Sequence, residues 1–241
     1  MVVIDQLLIG PVVPLGPRAA PSGIAKRPAA GRVWLGREGF AGDAQGDRKH
    51  HGGPEKAVHH YAFDHYPRWR EAIGDRDVLT RPGAFGENLS TTGITEADVA
   101  AGDTFRLGRA LIQASQGRQP CWKLNIRFDV PDMALRVQRS GWTGWYYRVL
   151  EEGFVAVGDS LVLVDRLSPG WTIERLRRVL YVDTLDRDPL AAIAALEHLP
   201  ESWRKLAARR LASGEVEDWS RRLVGDERPA APDRQPASAQ P

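Results

Sequence analysis

The sequence is short of several things at once. It has one cysteine, Cys121, which excludes an internal disulfide and a cysteine-rich zinc centre, and with them the small stapled secreted domain. Neither sign of charge dominates. Lys+Arg 33 against Asp+Glu 31 in 241 residues argues against a strongly basic nucleic-acid binder and leaves room only for local patches. No apolar run approaches the roughly 18 residues that a membrane-spanning helix needs, so no membrane association is expected. The opening Met1-Val2-Val3-Ile4-Asp5 lacks the basic and apolar regions of a signal peptide, which predicts a cytoplasmic protein. Common catalytic templates are missing too: no dinucleotide fingerprint, no P-loop and no Gly-x-Ser-x-Gly elbow. Redox chemistry would therefore need a bound prosthetic group and electrons from outside.

What is present is long enough for one large domain, or one domain with a helical appendage. From Met1 to about Asp165, short β-branched and aromatic runs alternate with Gly, Pro and Asp, the pattern of a mainly β domain, barrel or sandwich. The expected strands are Val2–Ile9, Val33–Leu35, Ala57–Phe63, Asn88–Ser90, Thr104–Leu107, Leu111–Ser115, Trp145–Leu150, Phe154–Val157 and Leu161–Val164, paired antiparallel. Trp145 to Val164 reads as a meander turning at Glu151-Glu152-Gly153 and at Gly158-Asp159. Two helices are expected within this region, one from His65 to Ala72 capped by Asp64 and one from near Pro131 to just before Gly141. After Pro169-Gly170 the period turns helical. Thr172 caps a helix to Tyr181, Asp188-Pro189 starts another toward His198, Ser202 opens a third that Gly214 stops, and Val216–Leu223 forms the last. These limits give a β domain over 1–168 with inserted helices, a small helical module over 169–225, and a tail over 226–241 whose Pro, Ala, Ser and Gln composition predicts disorder.

Three polar clusters are candidates for chemistry. The first runs from Gly36 through Asp43 to His50-His51-Gly52-Gly53-Pro54 and Lys56, a neighbourhood with five of the six histidines. Glycine pairs let backbone approach an anion and Lys56 adds a positive charge; equally, these are turn glycines among solvated charges. Histidine spacing fits no common zinc pattern, and on a strand His59 and His60 face opposite ways. The second cluster is Phe85-Gly86-Glu87-Asn88-Leu89, where Glu87 and Asn88 either bind a ligand's polar edge or shape a turn. The third is Ser115 through Leu124, with Cys121 between Arg118 and Lys123. Nearby cations favour a thiolate able to bind a soft metal, whereas an isolated free cysteine is often buried and inert.

Taken in order, the clusters resemble the MOSC family, related to the C-terminal part of molybdenum-cofactor sulfurases. The resemblance rests on Gly39–Asp43, His51-Gly52-Gly53-Pro54, Lys56-Ala57-Val58-His59, Phe85–Ser90, Pro120-Cys121-x-Lys123-Leu124, Gly144-Trp145-Tyr146 and Gly158-Asp159. Ser202-Trp203, Arg209-Arg210-Leu211, Gly214, Glu217-Asp218 and Ser220–Leu223 resemble the three-helix module of the branch linked to resistance to 6-N-hydroxylaminopurine. The resemblance implies a MOSC-type β-barrel flanked by helices, plus a small C-terminal helical bundle, with a positive cavity for the molybdenum cofactor (molybdopterin). It also implies reduction of N-hydroxylated compounds to amines, with electrons from a separate flavin-containing reductase. A homodimer is one of the states open to the chain. The family is associated with pyridoxal phosphate binding as well.

By matching position, Cys121 is the implied molybdenum ligand. Lys56, Arg118 and Lys123 with the Gly52 and Gly53 amides are candidates for the cofactor phosphate and pterin, Arg118 foremost because its planar fork suits phosphate. Lys123 either adds a nearby charge or points away on the next strand. His59 and Gln116 complete the cofactor-binding set, Asn88 serves the pterin edge or the substrate, and His51 and Asp43 relay protons or merely tie the loop down. Trp122, Trp145 and Tyr146 either stack on a purine or belong to the core. Where family members often carry Pro, this chain has Gly117, which is expected to loosen the approach to the cysteine. Two other readings remain: a cofactor carrier without turnover, and a nucleic-acid surface on Arg175, Arg177 and Arg178. Glu174, Asp183, Asp186 and Asp188 argue for a solvated face over the latter.

Overall fold

The computed structural model describes residues 1–47 and 52–225. His51, the expected proton relay, and the tail expected to be disordered over 226–241 lie outside the described residues.

Most of the β strands join one nine-stranded sheet in the order β1-β14-β10-β11-β12-β8-β9-β2-β5. Its members are β1 (Val2–Val3), β2 (Gln6–Ile9), β5 (Arg27–Pro28), β8 (Val58–Ala62), β9 (Leu89–Thr91), β10 (Asp103–Leu107), β11 (Ala110–Gly117), β12 (Trp145–Glu151) and β14 (Ser160–Arg166). Only Ile4 and Asp5 separate β1 from β2, yet β1 is one edge of the sheet and β2 lies next to the other. So short a link cannot span a flat sheet of this width, where neighbouring strands lie about 4.8 Å apart; the sheet curls so that β1 and β2 come close to one another, giving a half-barrel body. The single strand expected over Val2–Ile9 is thus two strands serving opposite edges.

Two topological expectations are corrected. The main sheet is not wholly antiparallel, because β8 and β9 run parallel. The connection between them contains helix α1 (His65–Ile73), and a crossover with a helix is what parallel neighbours require. Nor is Trp145–Val164 a meander: β13 (Gly153–Val155) leaves the main sheet to pair with β6 (Val33–Gly36), which also pairs with β7 (Gly39–Phe40). A further hairpin joins β3 (Val13–Leu15) and β4 (Ala20–Ser22); its proline-rich strands carry little β signal.

Helix α2 (Lys123–Phe128) was not expected, and α3 (Met133–Ser140) starts after Pro131 and stops at left-handed Gly141. Asp64 does not cap α1; its carboxylate accepts from the N–H of Gly93 at 2.9 Å instead. The C-terminal helices are α4 (Ile173–Tyr181), α5 (Arg187–Ala195), α6 (Glu201–Ser213) and α7 (Ser220–Val224), the last shorter than its sequence suggested. Thr172 caps α4 as expected, its hydroxyl accepting from Arg175 N at 3.1 Å. Spacing of three and four residues puts Ile173, Leu176 and Leu180 on one buried face. That face, with Trp203 of α6, packs into the same apolar cluster as Phe105, Ile112, Trp145 and Tyr147 of the sheet. A second cluster under α1, α2 and α3 is built around Tyr61 and Phe85, whose rings stack with centroids 4.0 Å apart, and Trp69, Leu124 and Phe128.

Candidate functional site

A cleft of about 590 Å³, counted out to its open mouth, lies where β8, the loop after β11 and the segments 22–26 and 44–46 converge. Its walls bring together Lys56, His59, Asn88, Arg118, Cys121, Lys123 and Tyr146 with Lys26, Phe85 and the segments Ser22–Ile24 and Ala44–Gly46. Among the described residues no carboxylate lines it. Lys26, Lys56, Arg118 and Lys123 all do, so the cleft favours an anion.

Local structure explains the placement. The register of β11 against β12 shifts between Ala114 and Gln116, a bulge that bends the strand just before the cysteine loop. Ser115 at this bulge donates to the carbonyl of Glu55 at 2.6 Å, anchoring the 3-10 turn Pro54–Lys56 that carries Lys56 to the cleft. Arg118 N donates to the carbonyl of Gly144 at 3.0 Å. Gly144 has φ +71, and a Cβ there would lie 2.4 Å from the His60 carbonyl, so no other residue fits without displacing β8. Gly117 is not loose: it pairs with Trp145, and a Cβ on it would lie 3.2 Å from Ile173 Cγ2.

Cys121 is 7% exposed and faces the cleft rather than the sealed core. Arg118 is equally buried at 7%, and its Nη1 has no hydrogen-bond partner among the described residues. Such a buried, unspent guanidinium nitrogen points to a ligand that satisfies it. Tyr146 shares the wall; burial raises its phenol above the usual range, with Arg118 beside it acting in the opposite sense. His59 packs its ring 5.0 Å from that of Tyr146. Burial, and then the charge of Arg118, holds His59 well below the ordinary histidine range, so it works as a neutral imidazole. Burial also lowers Lys56, with Asp47 partly restoring it.

Several sequence candidates sit elsewhere or are already committed. Lys123 is not on a strand pointing away; it is the first residue of α2, lines the cleft, and donates to the Pro21 carbonyl at 2.7 Å. Asn88 reaches the cleft wall, but its Oδ1 accepts from His59 N at 3.1 Å and its Nδ2 donates to Leu8 O at 3.1 Å and Asp43 Oδ2 at 2.8 Å. Asp43 does not line the cleft; it stands behind Lys26 as its ion-pair partner. Gly52, Gly53 and Gln116 are not among the lining residues, although Gln116 is buried with its Nε2 unpartnered. Glu87 is a turn anchor, accepting from Tyr66 Oη at 2.5 Å and from the N–H groups of Gly83 and Phe85 at 2.6 and 3.0 Å. Trp145 belongs to the core and Trp122 packs against Gly225, leaving Tyr146 as the aromatic of that trio in the cleft. The C-terminal arginines have local partners: Arg175 stacks over Trp171, Arg178 pairs with Asp183 at 2.8 Å, and Arg177 reaches the carbonyl of Gln138 at 3.2 Å.

Lys26 and the segments around Gly23 and Gly46 escaped sequence reasoning. The trace they leave is two isolated glycines. A Cβ on Gly23 would sit 1.9 Å from Ala44 O and one on Gly46 2.2 Å from Pro21 O, so two loops distant in sequence touch backbone to backbone.

A barrel-like sheet with a thiol and four cations on one cleft defines a class that the comparisons identify: a MOSC domain is matched over residues 47–162 and a YiiM-like 3-alpha helix domain over 171–214. The chain belongs to the MOSC family. It is similar to Protein YiiM of Escherichia coli (strain K12), 41% identical over 209 residues, which cover 87% of this chain and 93% of that protein. The crystal structure of YiiM from Escherichia coli superposes with a TM-score of 0.79 at 34% identity, covering 93% of this chain and 100% of that one. The uncharacterized protein YflK of Bacillus subtilis (strain 168) is 47% identical over 186 residues, 76% of this chain and 81% of that protein. A protein named Reductase from Gibberella moniliformis (strain M3125 / FGSC 7600) is 37% identical over 80% of this chain, which spans 34% of that longer protein. Among the described residues no helix is long and apolar enough to cross a membrane.

Proposed function

We propose that this protein is a molybdenum-cofactor-dependent reductase of N-hydroxylated compounds, converting N-hydroxylated purine bases such as 6-N-hydroxylaminopurine to the amine. The observation that carries this reading is the chain's sole cysteine opening into a cleft lined by four cations and, among the described residues, no carboxylate. Membership of the MOSC family and the name of the Gibberella relative support it.

The residues present fit a phosphorylated pterin with a soft metal. Cys121 Sγ is the soft donor, and Arg118 Nη1 is a buried donor awaiting an acceptor. Lys56, Lys123 and Arg118 would hold the phosphate, Arg118 through its planar fork. Bound there, the cofactor supplies two-electron acceptance of an oxygen atom, so that R–NHOH with two electrons and two protons gives R–NH2 and water. Tyr146 stays protonated at neutral pH and offers an O–H and an aromatic face to the substrate. His59 stays neutral and packs its ring against Tyr146, tilted by 38° to it. The low exposure of Cys121 and Arg118 limits water at the metal side. Electrons come, on this reading, from a separate flavin-containing reductase in the cytoplasm.

The test is expression in a host that makes the cofactor, followed by molybdenum and pterin content per chain and reduction of 6-N-hydroxylaminopurine with reduced viologen as donor. Wild type should retain the metal and turn over. Cys121→Ser should remain folded and keep less than about a tenth of both, the loss of a direct ligand. Full metal content and full activity in Cys121→Ser would refute the ligand assignment. Cofactor retained without turnover under any donor would make the protein a carrier.

A further inference from the structure

We infer that Arg222 is a positioning residue for Cys121, and that the C-terminal helices serve the cleft by holding the cysteine loop from behind. Both peptide groups flanking Cys121 terminate on this one residue. Arg222 Nη1 donates to the carbonyl of Pro120 at 2.6 Å, and the Arg222 carbonyl accepts from Trp122 N at 2.8 Å. The side chain is itself pinned: Nη2 donates to Gln138 Oε1 at 2.5 Å on α3, and the guanidinium lies 5.6 Å from the Tyr181 ring centroid at the end of α4. Gln119, at the start of the loop, donates from Nε2 to Tyr181 Oη at 2.7 Å. Gly225, just after α7, presses on the Trp122 indole, where a Cβ would lie 3.1 Å from Cγ.

The loop from Gln119 to Trp122 is therefore tied on one side to α4 and α7, while Cys121 faces the cleft on the other. Helix α7 has five residues and buries only Leu223, too little apolar surface to order itself. Its hydrogen bonds to the loop and the loop's hydrogen bonds to it are mutually required. A guanidinium is suited to this, because its fixed fork serves Pro120 and Gln138 together and charge-assisted bonds are about twice as strong as neutral ones.

The functional weight of this clamp rests on the reading that Cys121 works in the cleft, but its test needs no cofactor. Cys121 is the sole thiol of the chain, so alkylation of metal-free protein by iodoacetamide reports on it alone. At the high-pH plateau of the pH–rate profile the thiol is fully ionised and the rate reads access rather than ionisation. Arg222→Ala should raise the plateau rate about tenfold or more, the loss of a hydrogen bond from a charged donor. Arg222→Lys, which keeps a cationic donor for the Pro120 carbonyl, should stay within about threefold of wild type. Arg166→Ala, which unpairs the buried carboxylate of Asp103 at a place distant in sequence from the loop, should leave the plateau unchanged even where the melting temperature falls. If Arg222→Ala does not fold, Asn125→Ala, which frees the Leu223 carbonyl now bonded at 2.9 Å and the Ala134 N–H now bonded at 2.8 Å, should raise the rate about threefold, the effect of losing the neutral hydrogen bond to α7. An unchanged plateau in folded Arg222→Ala, or in Asn125→Ala where that is the variant used, would overturn the clamp. Failure of the molybdenum reading would appear instead as cofactor and activity kept by Cys121→Ser, with the alkylation result standing.

Discussion

Lys26 and Asp43 form a buried ion pair at the inner wall of the cleft, their side chains 6% and 1% exposed. Asp43 also accepts from Gly10 N at 3.0 Å and Asn88 Nδ2 at 2.8 Å, so one carboxylate ties together β2's following loop, the β8–β9 connection and the cleft lysine. Burial lowers Lys26, and Asp43 counteracts it. Asp43→Asn strands a buried ammonium and should cost about 3–5 kcal/mol in urea unfolding. Lys26→Met should cost less, because Asp43 keeps its two remaining donors. Equal midpoints for the two variants would show that Asp43 is not the hub.

Arg118→Met separates binding from stability. It removes a buried donor that has no partner among the described residues, so unfolding free energy should change by less than about 1 kcal/mol. Molybdenum per chain should nevertheless drop at least about tenfold, the effect of losing a charged contact to an anion. A variant that loses stability but retains the metal would make Arg118 a structural residue.

Acid stability should report on the paired histidines of β8. His60 is pushed to about 3 by burial, and its ring nitrogens meet the hydroxyls of Tyr147 at 3.0 Å and Thr91 at 2.7 Å. His59 is lowered as well. Both stay neutral in the folded chain while the unfolded chain protonates them below about pH 6.5. The depressed values therefore favour the fold above that pH, and stability falls as pH drops, by about 1.4 kcal/mol per unit for each histidine. His60→Gln should flatten the slope of unfolding free energy between pH 6 and 5 by about one proton. An identical slope would mean that His60 is protonated in the fold.

Arg210 is 1% exposed and holds the C-terminal helices together. Its fork meets both carboxylate oxygens of Glu217 at 3.0 and 2.7 Å, and Nη1 donates to Leu180 O at 2.9 Å. Arg210→Met should cost about 1.5–3 kcal/mol by removing the charged two-pronged contact to Glu217, which keeps Trp219 Nε1 at 2.8 Å, and by freeing the Leu180 carbonyl, and Arg210→Lys should recover little because a single ammonium cannot replace the fork. Thermal melts of both variants test this, and full stability of either would contradict it.

The sequence by itself determined what depends on local chemistry. Thr172 and Gly214 set helix ends because a hydroxyl cap and a left-handed residue act within one turn. Alternation in Val58–Ala62 set His59 and His60 on opposite faces, and the polar context of Cys121 marked it out among 241 residues. What only the tertiary structure decided is everything that long-range pairing controls. The break of Val2–Ile9 into two strands, the parallel match of β8 to β9 and the departure of β13 to β6 depend on partners tens of residues away, which no local period records. The cleft follows the same rule. Lys26 reaches it because Gly23 and Gly46 let two loops touch, Asp43 stands behind it paired with Lys26, and Cys121 is held facing it by an arginine 101 positions later in the sequence. Charge and thiol were legible as residues; which of them share one space was settled by packing, since burial rather than spacing selects the groups that must find partners.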